Sequence, residues 1–173
     1  MDMKGTMTLK TLPAFVEELK DLYSSENQLL RVLPKMAKVA FTPQLRQALT
    51  DHLHQTQIHL HRLDKIFLRL GAGPKGNNCT TMEGLIAEIR RLMSEDVKSA
   101  AMDASLIAAA QGMEHFQLTG YECAHTVAHD LGHNHAAESL QESLDEKQAT
   151  EKRLAELAES SAYLDVQPLN GKA

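Results

Sequence analysis

Apolar residues in this chain recur at three- and four-residue steps, the period of an amphipathic α-helix. In the first such stretch, about Pro13 to Ala40, the stripe is Phe15, Leu19, Leu22, Leu29, Leu33, Met36 and Ala40. Pro13 suits an early helical turn, and Pro34 predicts a kink or break inside the stretch. Thr42-Pro43 reads as an N-cap followed by Pro at the first helical position, opening a second helix to about Leu70, where Gly71 ends it. "GAGPKGNNC" is a loop. "TTMEGLIAEIRRLM" (80–93) is a shorter amphipathic helix opened by a Thr cap. A third long helix covers about Asp96 to Leu131, stopped by Gly132, and a fourth runs from His133 to about Ser160.

Two of the connections are tight, so the pairs they join should be antiparallel hairpins. The connection between the pairs is long and carries its own helix. Two hairpins and one long crossover is the ferritin-like arrangement of an all-α four-helix bundle. From the pattern alone, a spectrin-like or partner-binding bundle also stands. The expected boundaries are a flexible N-terminus (1–11), the bundle (12–160) and a C-terminal tail (161–173). Sliding the first half by 91 residues aligns Leu22 with Met113, Leu49 with Leu140 and Leu53 with Leu144. This weak internal repeat also pairs Glu26 with Gln117 and Gln55 with Glu146.

Composition narrows the function. No Trp, 4% aromatics and eight Met fit a Leu/Ala-rich helical core. A net charge of -5 gives no electrostatic footprint for nucleic acid. No apolar run reaches the ~20 residues of a membrane span, and the first residues lack the long apolar stretch of a signal peptide. The expected compartment is the cytoplasm. Cys79 and Cys123 are not in a CxxC pair and read as structural thiols there.

Turning each apolar stripe inward places several polar residues in the core. Glu26 falls mid-face on the first helix, with Glu18 nearer the edge. Glu114 and Gln117 fall on the third, with Asp103 further toward its start. Glu146 and Glu142 lie on the shoulder of the fourth. In the second helix "DHLHQTQIHLHRLD" (51–64) divides: His52, Thr56 and His59 face inward, with Gln55 on the edge, while His54 and His61 point away. The cluster His125, His129, His133 and His135 lies toward a bundle end, where a helix C-terminus favours protonated His. Cys123 with nearby His125 and Glu122 gives little support to a nucleophilic enzyme, since residues two apart on a helix do not face each other.

"ELKDLYSSENQLLRVLPKMAKVA", the PKG-x-x-C-x-x-MEGLI block, the A-x-x-MEH segment and "SLQESLDEKQATEKRLAELAE" closely resemble the YciE/YciF-type ferritin-like proteins, from about Leu12 to Glu159. The resemblance implies a ferritin-like bundle, usually dimeric and linked to stress responses, with no firmly assigned reaction. It implies a metal site at Glu26, Gln55, Glu114, Gln117 and Glu146; helix position adds His59, and after it His52, Glu142 and Asp145, as further donors, with Fe, Mn or Zn as the ion. If active, such a protein would be a ferroxidase- or peroxidase-like oxidoreductase. Gln55 and Gln117 stand where relatives carry carboxylates, and a Gln cannot bridge two cations or neutralise them. A metal-free core, charge-balanced by Lys147 and protonated His52 or His59, is the alternative; the protein would then act through homo-oligomer or partner assembly, with exposed Ile58 at an interface.

Overall fold

The computed structural model describes residues 11–95 and 97–166. It contains α1 (Leu12–Val39), α2 (Pro43–Leu70), α3 (Thr80–Met93), α4 (Ala100–Asp130) and α5 (Asn134–Val166). The N-terminal residues 1–10 and the tail from 167 lie outside the described residues. The described residues form an all-α bundle. The α1–α2 and α4–α5 hairpins pack through α1 against α4 and α2 against α5, and α3 lies on α1 and α4.

The helix ends follow their local chemistry. Thr11 caps α1 through its side chain, which accepts from the Ala14 N–H, and the helix continues unbroken through Pro34. Thr42 caps α2, and Gly71 closes it at φ 65°, where a side chain would be strained. At α3 the cap position is Cys79 rather than a Thr, and its side chain makes no cap bond. The Cys79 N–H instead donates to Ser24 Oγ at 2.9 Å, tying the crossover to α1. The α4 helix begins at Ala100, later than expected, because the Ser99 side chain accepts from the Met102 N–H and sets the start. The α5 helix runs to Val166, past the expected end near Ser160.

Two apolar clusters occupy the two ends of the bundle. One gathers Leu29, Leu33, Met36, Leu45, Leu49, Leu106 and Met113, roofed by Met82, Ile86 and Ile89 of α3. The other gathers Phe15, Leu19, Leu63, Phe67, Tyr121 and Leu140. Gly120 lets α1 approach α4 at this second end: a Cβ there would lie 2.9 Å from Leu22 Cδ2. Between the clusters each long helix of the bundle contributes buried polar side chains, namely Ser25 and Glu26, His52, Thr56 and His59, Glu114 and Gln117, Ser143 and Lys147. They form one transverse layer.

Asp103 belongs elsewhere. It is buried and accepts from the N–H of Phe41 (2.6 Å) and Thr42 (2.9 Å) and from Thr42 Oγ1 (2.7 Å). It therefore caps the start of α2 from across the bundle.

Candidate functional site

The polar layer is organised around an ammonium. Lys147 is 1% exposed, and its Nζ lies 3.0 Å from Glu26 Oε1 and 3.9 Å from Glu114 Oε1. Nζ donates to Gln117 Oε1, and the amide of Gln117 donates to Ser25 Oγ at 3.0 Å. Ser25 in turn donates to the Leu22 carbonyl at 2.9 Å. The Tyr121 hydroxyl donates to Glu26 Oε1 at 2.8 Å, and the Lys147 ammonium sits 5.2 Å from the Tyr121 ring centroid. Each contact satisfies a charge or dipole that would be costly alone in this buried layer.

The α2 histidines approach the same carboxylates. His52 Nε2 is 2.6 Å from Glu114 Oε1. His59 lies between two carboxylates, with Nδ1 3.3 Å from Glu26 Oε1 and Nε2 2.8 Å from Glu146 Oε2. A ring flanked by carboxylate acceptors at both nitrogens is best served by the doubly protonated imidazolium. Burial pushes the His59 pKa down, but its bonds to Glu146 and Glu26 outweigh this and leave it above the ordinary value. Burial likewise pushes the Glu26 carboxyl up. Lys147, His59 and Tyr121 more than reverse that, and it ends well below the usual carboxylate range. Glu114 is also lowered, with burial overcome by Lys147 and His52 against the repulsion of Glu26.

Glu146 stands at the flank of the layer. Arg62 grips both its oxygens, at 2.7 and 2.9 Å, and its pKa is lowered to about 2 by His59 and Arg62. The Arg62 guanidinium also lies 3.2 Å from Glu142 and donates to Ser143. Glu26, Glu114 and Glu146 thus face Lys147, Arg62 and the imidazole of His59, with His52 beside Glu114 and Glu142 outside on Arg62.

The structure thus brings together Glu26, His59, Glu114, Gln117 and His52 of the sequence-derived set, and joins Glu146 through His59. It places Gln55 apart, half-buried, its oxygen accepting from Thr150 at 2.7 Å. Glu142 is exposed on Arg62, and Asp145 is exposed and accepts from Gln141. Cys79 and Cys123 are both free thiols. His133 stacks on Phe15, and His129 is exposed 3.7 Å from Asp130. Sequence reasoning took Lys147 for a counter-charge only and missed the bond from Tyr121 to Glu26. The signal for Lys147 was present: with Leu140, Leu144 and Leu154 it completes a three-, four- and seven-residue inward stripe.

A ferritin-like metal pair draws a Glu from each of two helices and a Glu-x-x-His pair from each of the others, all anionic or neutral donors. Here an ammonium lies between Glu26 and Glu114, and Glu114 is followed at the third position by Gln117, whose oxygen is taken by that ammonium. As arranged, the donor set fits a single organic cation and does not fit two divalent ions. Among the described residues no group of three or more His, Cys, Asp or Glu side chains has a geometry suited to a metal ion.

Residues 11–166 match the family model described as "Domain of unknown function (DUF892)". The chain is 38% identical to Protein YciF of Escherichia coli over 154 residues, covering 88% of this chain and 93% of that protein. The crystal structure of the E. coli stress protein YciF superposes with a TM-score of 0.83 at 36% identity, over 87% of this chain and 96% of that one. YcfI of Rhodopseudomonas palustris follows at 0.79 and 33% identity, over 90% of this chain and 98% of that one. The fold also matches an Anabaena variabilis protein containing DJ-1/ThiJ/PfpI-like and ferritin-like domains, with a TM-score of 0.67 at 18% identity over 94% of this chain and 41% of that one. With its bundle, its crossover helix and its motifs accounted for, the chain belongs to the YciF-type, DUF892 family of ferritin-like proteins.

Proposed function

We propose that this chain is a cytoplasmic, stress-associated ferritin-like bundle in which an internal ammonium stands in for the metal pair, and that it acts through assembly rather than redox turnover. The observation that carries the reading is the Lys147 Nζ, placed between Glu26 and Glu114 and bonded to Gln117. Lys147 and Arg62 already engage the carboxylates of this layer, so two divalent ions would add a large uncompensated charge to it. The stress association is carried over from the E. coli protein described in those words.

One observation favours the competing reading, an iron-class ion (Fe, Mn or Zn) with weak ferroxidase- or peroxidase-like chemistry. Glu26 Oε2, both Glu114 oxygens, both His52 nitrogens and His59 Nδ1 are buried without an aligned hydrogen bond. If Lys147 swung away, these would be the donors left behind.

The test is anaerobic loading of tag-free protein with Fe(II) or Mn(II), followed by desalting and elemental analysis. The expected result is below about a tenth of an ion per chain. The Lys147→Glu, Gln117→Glu double variant is expected to gain metal. One ion or more per chain in the unaltered protein, lost on Glu26→Gln, would overturn the reading.

A further inference from the structure

A cavity of about 740 Å³ opens in the groove where α1 and α4 meet the start of α3, beside the buried layer. That volume is ligand-sized, since small-molecule pockets run to about 300–1,000 Å³. Its walls are largely apolar. Leu22 of α1, Leu85 of α3 and Phe116 of α4 line it, and the core covers Leu85 and Phe116 only in part. Gly112 widens it from the α4 side: a Cβ there would meet nothing within 4 Å, so bare helix backbone borders the open space.

The charge on this wall has one sign. Glu18 and Asp21, neighbours on one face of α1, both line the cavity. The Glu18 carboxylate reaches across toward α4, its Oε1 3.8 Å from where a Cβ on Gly120 would sit. Burial, and then Asp21, push the Glu18 pKa up; Asp21 is itself raised by burial and by Glu17. Among the described residues no cation pairs with either. Lys20, beside them on α1, is turned to Glu17 at 2.8 Å. His115, the basic residue on the wall, is exposed and 3.7 Å from Glu151. Ser25 and Gln117 close the inner side but are bonded to each other, so they bring no charge.

We propose that this cavity binds a small amphiphilic amine, its protonated nitrogen at Glu18 and Asp21 and its apolar body against Leu22, Leu85 and Phe116. Both carboxylates oppose an anion, and a wholly apolar occupant would cover them without an answering charge. An ammonium on an apolar body satisfies the two parts of the wall together. The cavity meets the buried layer through Ser25 and Gln117 alone, so the inference holds under either reading of the core.

The experiment is calorimetry on full-length, tag-free protein with three probes of one chain length: n-octylammonium, n-octanol and octanoate. Octylammonium is expected to bind at one molecule per chain, octanol at least about tenfold more weakly and octanoate not measurably. Glu18→Gln is expected to weaken octylammonium about tenfold and leave octanol unchanged. Gly112→Leu fills the cavity without a clash and is expected to abolish binding of both. Gly84→Leu on α3, where a Cβ also meets nothing within 4 Å, is outside the cavity and is expected to change neither. Both glycine variants keep their helices, since Leu is the better helix former. Equal affinity for octylammonium and octanol, full binding in Gly112→Leu, or an octylammonium affinity weaker than about 1 mM would overturn the proposal. Affinity that falls as protein concentration rises would give the cavity to a second copy and overturn it as well.

Discussion

The two apolar ends of the bundle and the charged waist between them follow opposite rules. Leu33 and Leu106 at one end, and Phe15 and Leu63 at the other, are closed to solvent and packed against like neighbours, where any similar volume serves. In the waist, Glu26, Glu114, Lys147 and His59 are equally buried, but each depends on a particular partner. An apolar position loses only its own contacts when truncated. A waist position leaves its partner as an unpaired charge in a low-dielectric interior. The ends hold the helices together, and the waist fixes which side chains meet.

Substitutions sharpen this contrast in a definite order. Lys147→Met strands Glu26 and Glu114, and is expected to cost about 3–5 kcal/mol in urea unfolding. Adding Glu26→Gln and Glu114→Gln to that variant is expected to recover most of the loss; a triple variant as weak as the single one would show that the waist is not governed by charge pairing. At an apolar end, Leu33→Ala is expected to cost about 3 kcal/mol by lost contacts and a cavity, with no comparable rescue from a neighbour. Smaller again is Asp103→Ala, which removes the tertiary cap of α2 and is expected to cost about 2 kcal/mol, read from the same unfolding midpoint.

The waist also gives stability a pH profile that the ends do not. Glu26, Glu114 and Glu146 have lowered folded pKa values, so their contribution is present above the ordinary value of 4.5 and is lost as pH falls; for Glu146 the loss runs down through about 2. His59 is raised, so its contribution is full below 6.5 and is lost as pH rises through its folded value. Urea midpoints are expected to peak between these limits, near pH 5–6.5, and His59→Gln is expected to flatten the alkaline decline. An unchanged decline in that variant would assign the effect to another group. At the bottom of the scale, breaking the exposed Glu88–Arg91 pair by Glu88→Ala is expected to leave the midpoint within error.

Much of the fold was legible because helix periodicity and end signals act locally. Thr42, Pro43 and Gly71 bracket α2 at both ends, as their backbone chemistry requires. The start of α4 was not legible to the same degree: Ser99 had to be recognised as the cap among several polar residues. In the waist, inward facing was readable for Glu26, His52, His59, Glu114 and Gln117, since one helix face decides it. Partnering was not, because it depends on how four helices are rotated against each other. Helix position put Glu146 on the shoulder of α5, where it stands, while the resemblance named it as a donor; Lys147, one residue on, takes the centre. Gln55, read on the edge of the α2 face, accepts from Thr150 outside the layer. A one-residue step, about 100° on a helix, separates the reading of a metal ligand from that of an internal cation.

The most direct measurement of that central claim is anomalous diffraction from crystals soaked anaerobically in Fe(II), collected across the iron edge. No anomalous peak is expected within about 2–2.5 Å of the Glu26 or Glu114 oxygens. Continuous density is expected from the Lys147 side chain to a point between them. A peak at that position, with Lys147 turned out of the layer, would contradict it.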